Sequence, residues 1–537
     1  MKSLWLVEKL SEKRLGQATT EYIRDLAQRP VRASRNTASQ VLAAMRAEPG
    51  LKVNVGTTTW GEDVQVPLMD FVKACGLTTG GMGAGKTMFA LLPIEAVVEL
   101  LPRSRSMAFG VLDAKGELFE RVLYLLALRA EQLRGRELQE FMDRIVVVDF
   151  SNRSSISPYN ILARWRHTES DYFITSRLET LRELLPSGEK LSVRGAGVLK
   201  NILALLSEFD LPITHLDRVL ASPEFREKLL VKSQNEELKF YFAKHYQTEG
   251  KQTVAALRAR MDSLFASEGV KLALSGSTAP DFLQLQNEGK IVLINCAGPT
   301  ITRGVRLLLQ GLVLSDIRQA IFARPNNPPV TYLWCADEAQ NFFLTRQQQE
   351  NMADVLTMAR SFGSFFYFLC QNLSTAVPDA RILELLHTNI RWSLTLRSTP
   401  GDATFLRAAL PVTGRLRRPD VNPFGEPSMY RPEEERGLLQ SGIANLPDRE
   451  GYLWLKTRSP EAIRLKIPHM NLPPAEEFRG LVDDLRDTAD FGCRVERGDY
   501  ERLIKERDHR WMGDAGTSLR LEERLEESYR RQREVVQ

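Results

Sequence analysis

The segment that most restricts this chain is a glycine-rich stretch, GGMGAGKT, at residues 80–87. It follows the apolar run CGLTT and leads into MFALLPIEAVVELL, so a strand precedes the loop and a helix follows it. The pattern G-x-x-x-x-G-K-[ST] would arise by chance in roughly one chain in a hundred of this length at average glycine usage, and the strand–loop–helix context makes chance a poorer account still. Glycines let backbone N–H groups converge on phosphate oxygens, and a helix N-terminus adds favourable potential for an anion. Gly80, Gly81, Met82, Gly83, Ala84, Gly85, Lys86, Thr87 and Met88 are therefore candidate nucleotide-binding residues. Lys86 is expected to reach the β- and γ-phosphates and the Thr87 hydroxyl to ligate Mg²⁺, which makes ATP and Mg²⁺ the expected cofactors.

A second segment completes the chemistry. VTYLWCADEAQ is an apolar strand ending in Asp337 and Glu338. A carboxylate at that strand end can hold Mg²⁺ through its water shell, and the next can orient or deprotonate an attacking water. Asp337 is assigned to the metal and Glu338 to the water. Alone, such a pair is more often a charge cluster at a helix start; beside the glycine loop it reads as the acidic half of one site. Downstream, MARSFGSFFYFLCQN ends an apolar strand at Gln371. That amide could touch the γ-phosphate or the water, or be an ordinary strand-end amide. Arg360, eleven residues earlier, could enter a neighbouring subunit's site and stabilise transition-state charge, or serve as a surface ion pair. The catalytic candidates are Glu338, Lys86, Gln371 and Arg360.

Short apolar runs followed by helical patterns recur at Ala74–Thr78, Met107–Asp113, Arg144–Phe150, Lys290–Cys296, Val330–Ala336 and Ser364–Gln371, with two more at Ile390–Leu396 and Gly451–Lys456. Continuous apolar strands alternating with helices indicate an α/β fold, a parallel sheet covered on both faces. Residues 165–285 interrupt the alternation with helical periodicity alone and read as an inserted all-helical domain. The expected organisation is an N-terminal helical segment (1–50), an ATPase domain (51–164 and 286–470), the insertion (165–285) and a charged helical tail (471–537). Thr399–Gly437, rich in Pro, Gly and Arg, reads as irregular.

Composition excludes some classes. No apolar run approaches the roughly 20 residues that span a bilayer, and the N-terminus lacks the apolar core of a signal peptide. A cytoplasmic protein is expected, reaching the inner membrane through a partner. Cysteines 75, 296, 335, 370 and 493 have no metal-type spacing. Lys plus Arg, 72, against Asp plus Glu, 68, is too balanced to decide about nucleic acid.

The phosphate loop, the Asp-Glu pair and the arginine-then-glutamine order together resemble the TraG/TraD-type coupling ATPases of conjugation and type IV secretion, relatives of the HerA and FtsK DNA pumps. VLDAKGEL (Val111–Leu118) resembles that family's Asp-x-Lys-Gly-Glu segment, and VVVDFSNRSSISPYNIL (Val146–Leu162) its strand-plus-Tyr-Asn segment; KIVLINCAG and Asn389 also fit. The resemblance covers about residues 50–470. It implies a RecA-like motor acting on DNA as a ring, a hexamer by family habit, with ATP at subunit interfaces and with secretion-channel or DNA-processing partners on the charged tail. For Asp113, Lys115 and Glu117 it implies proximity to the site; the residues alone read equally well as a helix-capping Asp with solvated neighbours. Two departures stand out. Met82 and Ala84 replace the family's usual Thr and Ser, and the transmembrane helices common at the family's N-terminus are missing. Pore contacts stay open: Arg258 and Arg260, or Arg415, Arg417 and Arg418, could track phosphates or lie on solvated faces. A secretion-apparatus ATPase that handles protein, a DNA-pumping ATPase of another mobile-element or defence system, and an ATP-binding scaffold are the competing readings.

Overall fold

The computed structural model describes residues 37–163, 170–184, 191–248, 251–371, 377, 379–399, 401–412, 430–470, 479–480, 482–483, 485 and 495–512. Its strands are β1 (Lys52–Thr58), β2 (Asp63–Pro67), β3 (Cys75–Thr79), β4 (Met107–Asp113), β5 (Ile145–Asp149), β6 (Ser155–Ile156) and β7 (Ile291–Asn295). They continue with β8 (Thr331–Ala336), β9 (Ser364–Cys370), β10 (Ile390–Leu396), β11 (Glu450–Leu455), β12 (Ile463–Lys466) and β13 (Val495–Glu496). The chain forms two compact units. The first takes residues up to Val111, then Glu117–Phe141 and Pro325–Leu485; the second takes Leu112–Gly116, Met142–Arg324 and the chain from Arg486 onward.

In the first unit the strand order is β2-β1-β12-β11-β10-β3-β9-β8-β4. β3 lies between β9 and β10 and is parallel to both, and β8 is parallel to β9. Parallel neighbours need crossover connections, and helices Lys86–Leu100, Arg346–Met358 and Ala380–Asn389 supply them. Every residue of β3 and β9 is buried, which is why these strands read as unbroken apolar runs in the sequence. Helix Lys86–Leu100 is apolar on nearly all sides and buried accordingly. Trp392 anchors the core beneath β3: its ring meets Phe71 edge-on at 4.9 Å and Tyr367 at 4.7 Å. Gly76 makes room for it, since a Cβ there would lie 2.0 Å from the indole.

The flank β10-β11-β12-β1-β2 is antiparallel throughout. The β1–β2 hairpin and β12 fall outside the sequence-expected strands, before the first and after the last; they are short and only partly buried, so they lack the continuous apolar signature. Helix Pro432–Gly442 lies partly within the stretch expected to be irregular. Pro432 at its first turn and three glutamates after it were the available start signals.

The second unit pairs β5 parallel to β7 and β6 antiparallel to β13. From 170 to 287 its described residues are helical and carry no strand. Several starts are written in the sequence: Ser192, Ser222, Asn235 and Asp281 each accept a hydrogen bond from a backbone N–H of the first turn. A fully buried ion pair, Arg177 with Asp316, is completed by the Tyr159 hydroxyl donating to the same carboxylate. Helix Arg497–Met512, within the stretch expected as a charged tail, packs into this unit. Its Trp511 meets Phe209 at 5.3 Å, and Asp508 takes contacts from His215 and Arg218 at 3.1 Å each. Cys493, Arg415, Arg417 and Arg418, and most of the N-terminal segment and final tail, lie outside the described residues. Among the described residues, no helix is long and apolar enough to cross a membrane.

Candidate active site

The glycine loop is held from three sides. Gly80 N–H donates to the Cys370 carbonyl at the end of β9, 3.2 Å, and Gly81 N–H to the Arg397 carbonyl just past β10, 2.7 Å. From the turn before β11, Arg449 N–H donates to the Ala84 carbonyl at 3.0 Å. Gly85 caps the following helix with φ +109°, a conformation that L side chains rarely adopt, and a Cβ there would press to 3.3 Å from Arg449 Cγ. This scaffold leaves the loop little freedom. Lys86 is buried, and its ammonium donates to the Gly80 and Gly81 carbonyls at 2.8 and 3.0 Å. Thr87 is half-buried beside it, while Met82 stands out at 83% exposure. The Met88 sulfur is engaged by the Arg121 guanidinium at 3.1 Å.

The acidic pair sits at the end of β8. Asp337 is buried. Glu338 takes the left-handed conformation, φ +51°, unusual for a residue with a Cβ and costing on the order of 1 kcal/mol. Two amides fix its carboxylate: Gln371 Nε2 donates to Oε1 at 2.7 Å, and Gln340 Nε2 donates to Oε2. The clamp is closed by Gln371 N–H donating to Gln340 Oε1 at 3.3 Å. Backbone strain and two amide contacts on one carboxylate hold it in a single orientation, as positioning a water requires.

Strand order brings the two halves together. β9 separates β3 from β8, so their C-terminal ends lie two strand spacings apart, about 10 Å. Thr79 pairs with Cys370 and Ala336 with Phe368, which sets both ends at similar height. The Cys370 thiol senses both: burial pushes its pKa up, Glu338, Asp337 and Asp402 push it further, and Lys86 opposes them. Lys86, Asp337, Glu338 and Gln371 thus converge on one locality.

The donor set fits hydrated Mg²⁺ carried by phosphates. Thr87 Oγ and the Asp337 carboxylate are hard oxygen donors, one on each side of β9, and Mg²⁺ takes only one or two such protein ligands beside substrate phosphates and water. Among the described residues no cluster of three His, Cys, Asp or Glu forms a stand-alone metal cage.

Arg360 is not brought to this site. It is exposed, in a 3₁₀ turn (Ala359–Phe362) ahead of β9, at the end opposite Gln371; seven strand residues separate the two, about 20 Å. Asp113 accepts from Lys115 N–H at 2.7 Å and Glu117 pairs with Arg121 at 2.7 Å, contacts of the helix-entry kind. Arg258 pairs with Asp217. Sequence reading missed Gln340 and Arg449. Gln340 carried a weak signal, an amide two residues beyond Glu338. Arg449 carried none, because a backbone brace arriving from a distant turn leaves no local pattern.

These features define the RecA-like P-loop ATPase fold. The same fold is found in the bacterial conjugative coupling protein TrwBΔN70, with a TM-score of 0.50 at 14% identity over 81% of this chain and 92% of that one. TrwB in complex with ADP and Mg²⁺ scores 0.49 at 16% identity, covering 82% of this chain and 94% of that one. VirB4 of Thermoanaerobacter pseudethanolicus scores 0.47 at 15% identity, covering 79% and 98%. No family model matches the sequence, and no curated protein does. At 14% identity the likeness to TrwBΔN70 speaks for the fold alone.

Proposed function

We propose that this chain is an ATP-hydrolysing motor that moves DNA, working as a closed ring of copies, six by the family's habit, with ATP held between neighbours. The observation that carries the hydrolytic part is the convergence of Lys86 with the Asp337–Glu338 pair around the end of β9. In this reading the loop N–H groups and Lys86 bind the phosphates, and Thr87 and Asp337 hold the magnesium ion. Mg²⁺ supplies charge neutralisation on the β- and γ-phosphates. Glu338, fixed by Gln340 and Gln371, orients the attacking water and accepts its proton. Gln371 sits where loss of the γ-phosphate would be felt and passes that change into β9. Arg360 lies too far from its own loop to serve it, which favours action on a neighbour's nucleotide; a heterologous contact that closes into a ring supplies that geometry.

DNA as cargo rests on the likeness to a protein described as a conjugative coupling protein. The ring would be cytoplasmic and held at the inner membrane by a partner. The test is the ATP turnover of purified protein at low salt with and without DNA. Several-fold stimulation by DNA of unrelated sequences is expected. A rate indifferent to DNA would move the cargo to protein and leave the ATPase assignment standing.

A further inference from the structure

The same strands that end at the phosphate loop begin at a second concave site. A cleft of about 340 Å³ opens at the N-terminal ends of β3, β9 and β10, lined among others by Asp70, Lys73, Arg360, Arg391 and Trp392. Arg391 reaches it through a bulge. Ile390 is opposite Cys75 and Trp392 opposite Gly76, so Arg391 is an extra residue with no partner on β3. It is the exposed member of an otherwise buried strand. Bulges re-aim side chains and gather near active sites. Here the bulge places a guanidinium on the same cleft as Arg360.

Among the described residues the cleft's positive charge is left uncompensated. Asp70 is the carboxylate of the lining, and both its oxygens are taken by Arg458, at 2.9 and 3.0 Å. With described residues, Lys73, Arg360 and Arg391 form no ion pair. Their fields overlap. Burial raises the Cys75 thiol to about 11, opposed by a backbone hydrogen bond from Phe366 and by Arg360 and Arg391 together. Behind the cleft, burial and the Arg391 charge lower Lys456 to about 8. Two guanidiniums and an ammonium on one open cleft suit the oxygens of a multivalent anion such as phosphate.

We infer that Arg391, with Lys73 beside it, is a second cationic arm that joins Arg360 on the triphosphate bound by a neighbouring copy's loop. This rests on the proposed ring, in which the N-terminal strand ends of one copy face the C-terminal strand ends of the next. Its own loop lies at the far end of β3 and cannot supply the anion.

Three variants of the full chain test it: Arg391→Ala, Arg391→Lys and Arg360→Ala, each assayed alone and mixed with Glu338→Gln. Arg391→Ala is expected to lower kcat at least about tenfold, as for loss of one charge-assisted contact to a phosphoryl group. Binding of a fluorescent ATP analogue should fall much less than turnover, because the loop and Lys86 that hold most of the triphosphate are untouched. Arg391→Lys should restore part of the turnover. An equal mixture of Arg391→Ala with Glu338→Gln should regain activity, since about a quarter of randomly formed interfaces would be complete. Wild-type turnover in Arg391→Ala overturns the inference, and so does a loss that Glu338→Gln chains do not rescue. Loss of DNA binding with unchanged DNA-free turnover would assign the cleft to nucleic acid and overturn it too. If Arg360→Ala also fails to complement, the ring reading itself falls; if Arg360→Ala complements and Arg391→Ala does not, only Arg391's role is lost.

Discussion

The two ends of the central strands contrast in how they treat charge. At the C-terminal ends of β3, β8 and β9 each charged group is held: Lys86 by loop carbonyls, Glu338 by two amides. At the N-terminal ends of β3, β9 and β10, cations crowd a cleft whose carboxylate is already committed to Arg458. Preorganised groups need no movement when charge develops, which is what electrostatic catalysis asks of them. An uncompensated cluster, by contrast, is costly unless an anion arrives from outside. One end looks like a complete binding half and the other like a donor waiting for a recipient.

The sharpest way to break this contrast is to strike the held end. Lys86→Ala and Glu338→Gln are each expected to reduce ATP turnover at least about a hundredfold, the scale of losing a transition-state contact. Glu338→Gln should still bind ATP, and thermal unfolding of both should stay near that of the parent. Near-normal turnover in either variant would remove the role given to that residue.

Next in size is the donor end. Arg360→Ala should lose turnover by about a hundredfold, below the largest arginine-finger effects, with nucleotide binding by its own loop intact. Mixed with Glu338→Gln it should recover part of the rate. Recovery in mixtures separates action in trans from action within one chain, which a single-variant rate cannot do.

A smaller effect tests the clamp. Gln340→Ala frees one oxygen of Glu338 while leaving Gln371 in place, so about a tenfold fall in turnover with unchanged ATP binding is expected, a positioning loss of modest size. Gln340 also marks how far the sequence could be read. The loop, the acidic pair and Gln371 were legible because each follows an apolar run that is buried on both faces and therefore written continuously. That Arg360 lies at the far end of its strand followed from its place before the same run. The clamp was not legible, because it depends on a left-handed turn at Glu338 that swings Gln340 back onto the carboxylate. Arg449 and the Arg391 bulge were hidden for a related reason. Both depend on how distant strands register, and one residue more or less between pairings leaves no trace in local periodicity. The β1–β2 hairpin was missed because a half-exposed edge carries too little apolar signal to stand out from a loop.

The mildest test uses pH to read one half-buried ring, His387. Burial, and after it the Lys456 charge, lowers the His387 pKa to about 4 from its ordinary 6.5, so the folded protein keeps this ring neutral. The unfolded chain binds a proton there below 6.5 that the folded chain refuses until about 4. Stability should therefore be full above pH 6.5 and fall as the pH drops through that window. His215 in the second unit, lowered chiefly by burial, contributes a slope of the same sign. His387→Gln should flatten the decline without abolishing it, by on the order of 1 kcal/mol at pH 5 after allowing for a partly solvated ring. Denaturant midpoints measured between pH 7.5 and 4.5 for parent and variant would show it. Parallel curves would mean that His387 titrates normally when folded, its ring being better solvated than its burial beside Lys456 implies.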